Sequence, residues 1–400
     1  MSKIAHLSAA VIKDSRGDAT IEVTLASDIG HSVKASVPQG KSRGSYEAAS
    51  IDARFAVKSV EQFIFPAIRG IDPALQEKID EAMCALDGTP NKSRLGGNAI
   101  LAVSIGVARL AAAHAGMPLW RYLRNLSGIS EGHGFPRLFV NVINGGLHAK
   151  NNLDIQEYLV IPRARRIEDA VLFSKKIYGA TKTFFETREK GEIPVGDEGG
   201  FMPSFKNNEE PFAVLAEVLR RMEATDEADF GIDAAASNIR MEKGALTSLY
   251  ERLIGTYGLL YIEDPFTEDD FGSFAELQHR FGAKTKIVGD DLTVTNIERM
   301  RRAKKHESVN GVIIKPNQVG TVTEAIRAVR LAREWGWQVV VSHRSGETLD
   351  DFIADFACGV GADGFKLGAP KPAERMAKYD RLIAIEKEAS HRKRRIGLDG

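Results

Sequence analysis

The chain has 400 residues, 43% of them hydrophobic and 27% charged, which exceeds one ordinary domain and fits a globular protein with a large core. Lysine plus arginine equals aspartate plus glutamate at 54 each, so the formal net charge is zero. This excludes the basic excess by which a nucleic-acid-binding protein is usually known. A mean hydropathy of −0.20, with no apolar run reaching about 18 residues, argues against a membrane partner. The start, Met1-Ser2-Lys3-Ile4-Ala5-His6, lacks a signal-peptide stretch and points to the cytoplasm. Cys84 and Cys358 are too few for a disulfide scaffold and are expected as reduced core residues.

Ile21 to Leu25 alternates as a half-buried strand does, and Ser32 to Val37 repeats the pattern after an Asp28-Ile29-Gly30 turn. The loop Pro38-Gln39-Gly40-Lys41-Ser42-Arg43-Gly44 follows. Helical periodicity runs from Ala53 to Ile68 and again from Asn98 to Ala115, where Ile100, Val103, Val107 and Leu110 mark one face. Strands followed by helices predict a small α+β domain over residues 1–130.

From about Phe135, short apolar runs alternate with helical periods over residues 131–400. The runs end at Asp233, Glu263, Asp290, Lys315, His343 and Lys366, in steps of 30, 27, 25, 28 and 23 residues. A strand, its crossover helix and two loops need about this length, so the pattern reads as a (β/α) barrel. One helix is legible in detail: Thr323 to Trp335, with Ala325, Ile326, Val329 and Ala332 on its buried side. The basic tail His391-Arg392-Lys393-Arg394-Arg395 reads as a solvated terminus.

In such a barrel catalytic groups stand at the C-terminal ends of the strands. Asp233, Glu263 and Asp290 then offer three oxygen ligands to one hard cation such as Mg²⁺. A lysine beside that dication and a second lysine should have a lowered pKa, which makes it a usable base. Asp154-Ile155-Gln156-Glu157 and the glycine-flanked pair Asp197-Glu198 add further acids, the glycines allowing close backbone approach.

Several blocks resemble the enolase family: Ser342-His343-Arg344-Ser345-Gly346-Glu347-Thr348, Ile262-Glu263-Asp264-Pro265-Phe266, Gly289-Asp290-Asp291-Leu292-Thr293 and Gly196-Asp197-Glu198-Gly199-Gly200. Asp14-Ser15-Arg16-Gly17, Leu86-Asp87-Gly88-Thr89, Lys315-Pro316-Asn317-Gln318 and Ala377-Lys378-Tyr379 extend the likeness, in family order, from about Val11 to Glu388. The resemblance implies an α/β fold, a (β/α)8-type barrel with a smaller N-terminal α+β capping domain. It implies a Mg²⁺-dependent hydro-lyase that converts 2-phosphoglycerate to phosphoenolpyruvate. By position, Asp233, Glu263 and Asp290 would hold the first of two Mg²⁺ ions, and Ser42 would ligate the second. Lys315 would take the proton next to the carboxylate, while Glu198 with Glu157 would help the β-hydroxyl leave. Lys366 would steady the carboxylate and enolate. Arg344 and Ser345 would hold the phosphate, and His148, Gln156 and His343 would line the pocket.

The sequence departs from the family near the substrate. Lys41 and Arg43 add two cations to a loop that usually reads Ser-Gly-Ala-Ser-Thr-Gly, and both become candidate substrate contacts. Leu147, Lys150, Leu367 and Lys371-Pro372 also differ, and the segment after Glu47-Ala48 is shorter. Ala384 stands where the family has an arginine that pairs with the glutamate corresponding to Glu22 across a dimer, so a homodimer or higher homo-oligomer stays open. The more cationic loop admits a second expectation: a specialised relative from phosphonate biosynthesis, resembling the carboxyphosphonoenolpyruvate synthases, acting on another phosphorylated or phosphonylated carboxylate. A non-catalytic binding protein on the same fold is the third, although here the acid, base and metal set is whole.

Overall fold

The computed structural model describes residues 2–40, 44–130, 134–189 and 192–396. Strands β1 (Ile4–Lys13), β2 (Ala19–Ser27) and β3 (Ser32–Ser36) form an antiparallel meander. β1 was not evident from the sequence, because its buried positions are irregularly spaced and much of it faces solvent. The predicted helix over 53–68 forms, but in three pieces: α1 (Ala53–Lys58), a π-helical stretch (Ser59–Ile64) and α2 (Phe65–Ile68). Two further helices, α3 (Gln76–Asp87) and α5 (Leu119–Ser127), flank α4 (Gly97–His114). α4 is long and apolar enough to cross a membrane, contrary to the reading that no such run exists; 83% of it is buried inside the protein, as in a core helix.

The rest of the chain closes an eight-stranded barrel in the order β4 (Arg137–Asn144), β5 (Glu157–Pro162), β6 (Ala228–Asp233), β7 (Tyr261–Glu263), β8 (Lys286–Gly289), β9 (Gly311–Ile314), β10 (Gln338–Ser342) and β11 (Gly364–Lys366). α6 (Ile167–Glu189), α7 (Glu210–Arg221), α8 (Lys243–Tyr257), α9 (Phe271–Phe281) and α10 (Ile297–Lys305) come between the earlier strands. α11 (Pro316–Val319), α12 (Val322–Glu334), α13 (Phe352–Gly359) and α14 (Ala373–Ile396) complete it. One feature departs from a regular (β/α) barrel: β5 runs antiparallel to both β4 and β6. All six residues of β5 are buried, so no alternation betrayed its direction.

Phe139, Leu159, Ile161, Tyr261, Val288, Ile313 and Val340 fill the barrel interior, Phe139 meeting Tyr261 edge-on at 4.8 Å. This plug confines polar groups to the mouth. The helix read from the sequence is α12, whose Ala325, Ile326, Val329 and Ala332 are buried as expected. Its first turn is satisfied from the N-terminal region. Asp80 of α3 accepts from Thr323 N at 3.1 Å and Thr323 Oγ1 at 2.6 Å, and Ser104 Oγ of α4 accepts from Val322 N at 3.0 Å. Lys92 pairs with Glu324 at 2.8 Å, and Arg327 with Glu81 at 2.7 Å. Both cysteines are free thiols; Cys358 is buried as predicted, whereas Cys84 is only half-buried. Glu22 pairs with Lys34 of the adjacent strand at 2.7 Å.

Candidate active site

The six polar residues read from the strand ends do gather at one mouth. Asp233, Glu263 and Lys366 close β6, β7 and β11, while Asp290, Lys315 and His343 directly follow β8, β9 and β10. Glu157 opens β5, which the antiparallel direction turns toward the same end. Asp233, Asp290, Lys315, His343 and Lys366 share the wall of a cleft of about 500 Å³ with Gln156, Glu157, Glu198, Arg344 and Ser345. Glu263 lies just beneath, fully buried, its carboxylate taking a 2.6 Å hydrogen bond from the core residue Tyr261. Lys41, Ser42 and Arg43 lie outside the described residues, as does the side chain of His148.

Lys366 Nζ stands 3.0 Å from Asp233, 2.8 Å from Glu263 and 3.5 Å from Glu157. Lys315 is ion-paired with Asp290, whose other oxygen accepts from Gln318 Nε2 at 2.9 Å. Thr295 Oγ1 fixes that amide by donating to Gln318 Oε1 at 2.7 Å. Gln156 Nε2 donates to Asp233 at 3.2 Å, and Asn141 Nδ2 donates to Glu198 at 3.1 Å. The Glu198 loop reaches this position because Gly200 has no side chain: a Cβ there would lie 2.3 Å from Asn144 Oδ1. Arg344 holds both oxygens of Glu47, at 3.1 Å each, and Arg16 reaches Ser345 Oγ at 3.5 Å.

The protein's own charges act on the two lysines in the opposite sense to the dication from which a lowered pKa is expected. Burial works against both ammonium groups, but Asp290 outweighs it at Lys315, and Asp233 with Glu157 and Glu263 does so at Lys366, so both pKa values rise. The nearest charges here are carboxylates, not cations. Burial also pushes Glu157 well above the usual carboxylate range, and Glu198 adds to it; at Glu263, burial and Asp233 act the same way. Asp290 moves the other way, since Lys315 overcomes the effect of its burial.

Among the described residues, seven carboxylates line the cleft with Glu263 below them, against three cations, Lys315, Arg344 and Lys366. Such a surplus of buried acids fits a divalent cation. Glu157 Oε2 and Gln156 Oε1, buried and without hydrogen-bond partners, are spare oxygens in the same wall. The tightest acidic group differs from the one predicted: it comprises Asp264, Asp290 and Asp291, with ligand oxygens within 4.8 Å of one another. Only Asp290 belongs to both sets. Asp264 adopts a left-handed backbone, φ 43°, and accepts from Asp290 N and Asp291 N at 2.9 and 2.6 Å, so it braces the loop that carries Asp290.

Glu47, Asp264, Asp291, Gln318 and Arg375 were not assigned roles from the sequence. All five lie within or beside the quoted motifs, Arg375 two residues before Ala377-Lys378-Tyr379, so their signal was there.

An acid-rich, largely buried cleft with facing amines at a barrel mouth is the arrangement of a barrel enzyme that moves protons. Residues 133–398 match the family profile described as the enolase C-terminal TIM barrel domain, and residues 4–123 match the enolase N-terminal domain. Proteins named enolase from Methanocaldococcus jannaschii and Methanopyrus kandleri are each 41% identical, over 96% and 97% of this chain and 95% and 96% of their own. One from Thermococcus kodakarensis is 40% identical over 96% of this chain and 95% of its own. The chain belongs to the enolase family.

Proposed function

We propose that the protein dehydrates 2-phosphoglycerate to phosphoenolpyruvate with Mg²⁺, two ions per site. The observation that carries this reading is the opposition of acid and base. β5 and β9 lie four strands apart around an eight-stranded closed barrel, so Glu157 faces Lys315 across the mouth. A substrate held between them can lose a proton from one face and its hydroxyl from the other.

Lys315, as a free amine, accepts the proton from the carbon next to the carboxylate, and the C–H electron pair becomes the new double bond. The hydroxyl on the neighbouring carbon leaves as water with a proton from the Glu157–Glu198 pair. Burial and the neighbouring Glu198 raise the pKa of Glu157, which suits it to the part of acid. Lys315 is free to act once the charge of Asp290 is engaged elsewhere. Mg²⁺, when bound, supplies positive charge against the substrate carboxylate and the charge that builds on it. Asp233, Glu263 and Asp290 would hold one ion, and Ser42 the second. Lys366 neutralises the carboxylate and enolate, and Arg344 with Ser345 binds phosphate. His148, Gln156, His343, Lys41 and Arg43 complete the substrate contacts. On this reading residues 131–400 carry the chemistry, residues 1–130 cover it, and the enzyme works in the cytoplasm, in glycolysis. The identities to enolases favour this reading over the phosphonate-pathway alternative.

The test is turnover of 2-phosphoglycerate with Mg²⁺, followed by the ultraviolet absorbance of the product double bond. A rate of roughly 10 per second or more is expected, falling at least about 1,000-fold in Lys315→Ala. Negligible turnover by the parent with intact Mg²⁺ binding overturns the substrate assignment.

A further inference from the structure

Arg375 lies in the first turn of α14 and is the largest fully buried side chain in the protein, 1% exposed. Among the described residues no carboxylate pairs with it. Its guanidinium donates instead to Arg344 O at 2.6 Å and Ser345 O at 2.8 Å, and its Nη1 lies 2.5 Å from His343 Nδ1. One buried cation thus grips three consecutive residues of the barrel mouth.

A guanidinium has donors only, so a nitrogen at this distance from it must be an acceptor. Nδ1 of His343 therefore carries no proton, and a neutral ring must carry its proton on Nε2. Gly368 lies against the ring, where a Cβ would stand 3.0 Å from His343 Cε1, so the absence of a side chain leaves room for the imidazole in this place. Nε2 looks toward Glu198 Oε2 at 3.7 Å, beyond hydrogen-bond reach. A polar atom of a molecule bound in the cleft can bridge the two from the side, at hydrogen-bond distance from each.

We infer that Arg375 is a positioning residue: it locks His343 in the tautomer that presents an Nε2–H donor to the cleft, beside the acid pair. His343 then serves as a fixed neutral donor to the departing hydroxyl rather than as a proton carrier. Its surroundings agree: burial and Arg375, helped by Lys366 and Lys315, lower its pKa well below the usual histidine value against the opposing pull of Glu198. The catalytic consequence rests on the dehydratase reading above, but the tautomer does not.

The test is the nitrogen-15 two-bond correlation spectrum of histidine-labelled full-length protein at pH 7, with His343 assigned by its disappearance in His343→Gln. The parent is expected to show the proton on Nε2 alone. Arg375→Met should give a mixture of tautomers and a turnover at least about tenfold lower, and Arg375→Lys should restore the single tautomer with part of the rate. A proton on Nδ1, or on both nitrogens, in the parent overturns the inference, as does an unchanged tautomer in Arg375→Met. Should Arg375→Met fail to fold, the parent spectrum and Arg375→Lys still decide. If the parent does not turn over 2-phosphoglycerate, the substrate reading falls while the spectrum still tests the lock.

Discussion

At the scale of single residues, Lys366 has the clearest energetic role. Its ammonium touches three buried carboxylates, and none of the four groups has bulk water to fall back on. Removing one partner from a buried ionic cluster leaves the others uncompensated, typically at about 3–5 kcal/mol. Lys366→Met is therefore expected to lower unfolding stability by about that amount in urea denaturation. A loss below about 1 kcal/mol would show that the acids absorb the change by taking up protons. Asp233, Glu263 and Lys366 were legible in the sequence because each ends an apolar strand, and Glu157, which opens β5, because it closes an acidic stretch. Their pairing was not, since which lysine meets which acid depends on strand order around the barrel. The same limit explains Glu47: it is distant in sequence from Arg344, and only the fold brings them together.

Among the elements, the junction of α3 with α12 governs how the N-terminal region grips the barrel. Asp80 accepts the first-turn amide of α12, but it is completely buried without a cation against it. Burial raises its pKa to about 6 despite hydrogen bonds from Thr323, Ser104 and Gln76. An acid whose pKa is higher folded than unfolded opposes folding where it must ionise. The opposition is nil below about pH 4, grows to about pH 6 and is constant above, reaching about 3 kcal/mol. The difference in stability between Asp80→Asn and the parent should therefore shift in favour of the variant as pH rises from 4 to 6. A pH-independent difference in urea midpoints would contradict this. Elements with a clean period, such as α12 and β2, were readable in advance. β5 was not, because burial on both faces erases the pattern, and neither was the π-helical stretch at Ser59–Ile64, whose residues read as ordinary helix.

For the molecule as a whole, the proposed metal at the acid-rich barrel mouth would couple folding to its own concentration. A ligand that binds only the folded chain stabilises it by about 2.7 kcal/mol at one hundred times its Kd. Mg²⁺ is expected to raise the thermal unfolding midpoint with the logarithm of its concentration. Asp290→Asn should move that dependence to at least about tenfold higher Mg²⁺, and calorimetry should show the same weakening. An unfolding midpoint indifferent to Mg²⁺ in the parent would remove the metal from the reading.

The grip of Arg344 on Glu47 makes anion capture an exchange. On the proposed reading, an incoming phosphate does not fill a vacancy at the guanidinium; it displaces a carboxylate already seated there with three hydrogen bonds of 3.1 to 3.2 Å. A monoanion offers Arg344 little more than Glu47 does, while a phosphate dianion offers more charge and a third oxygen. On that reading the resident acid would act as a threshold against plain carboxylic acids competing for the same arginine. Glu47 also accepts from Gly44 N at 3.2 Å, so evicting it frees that amide as well.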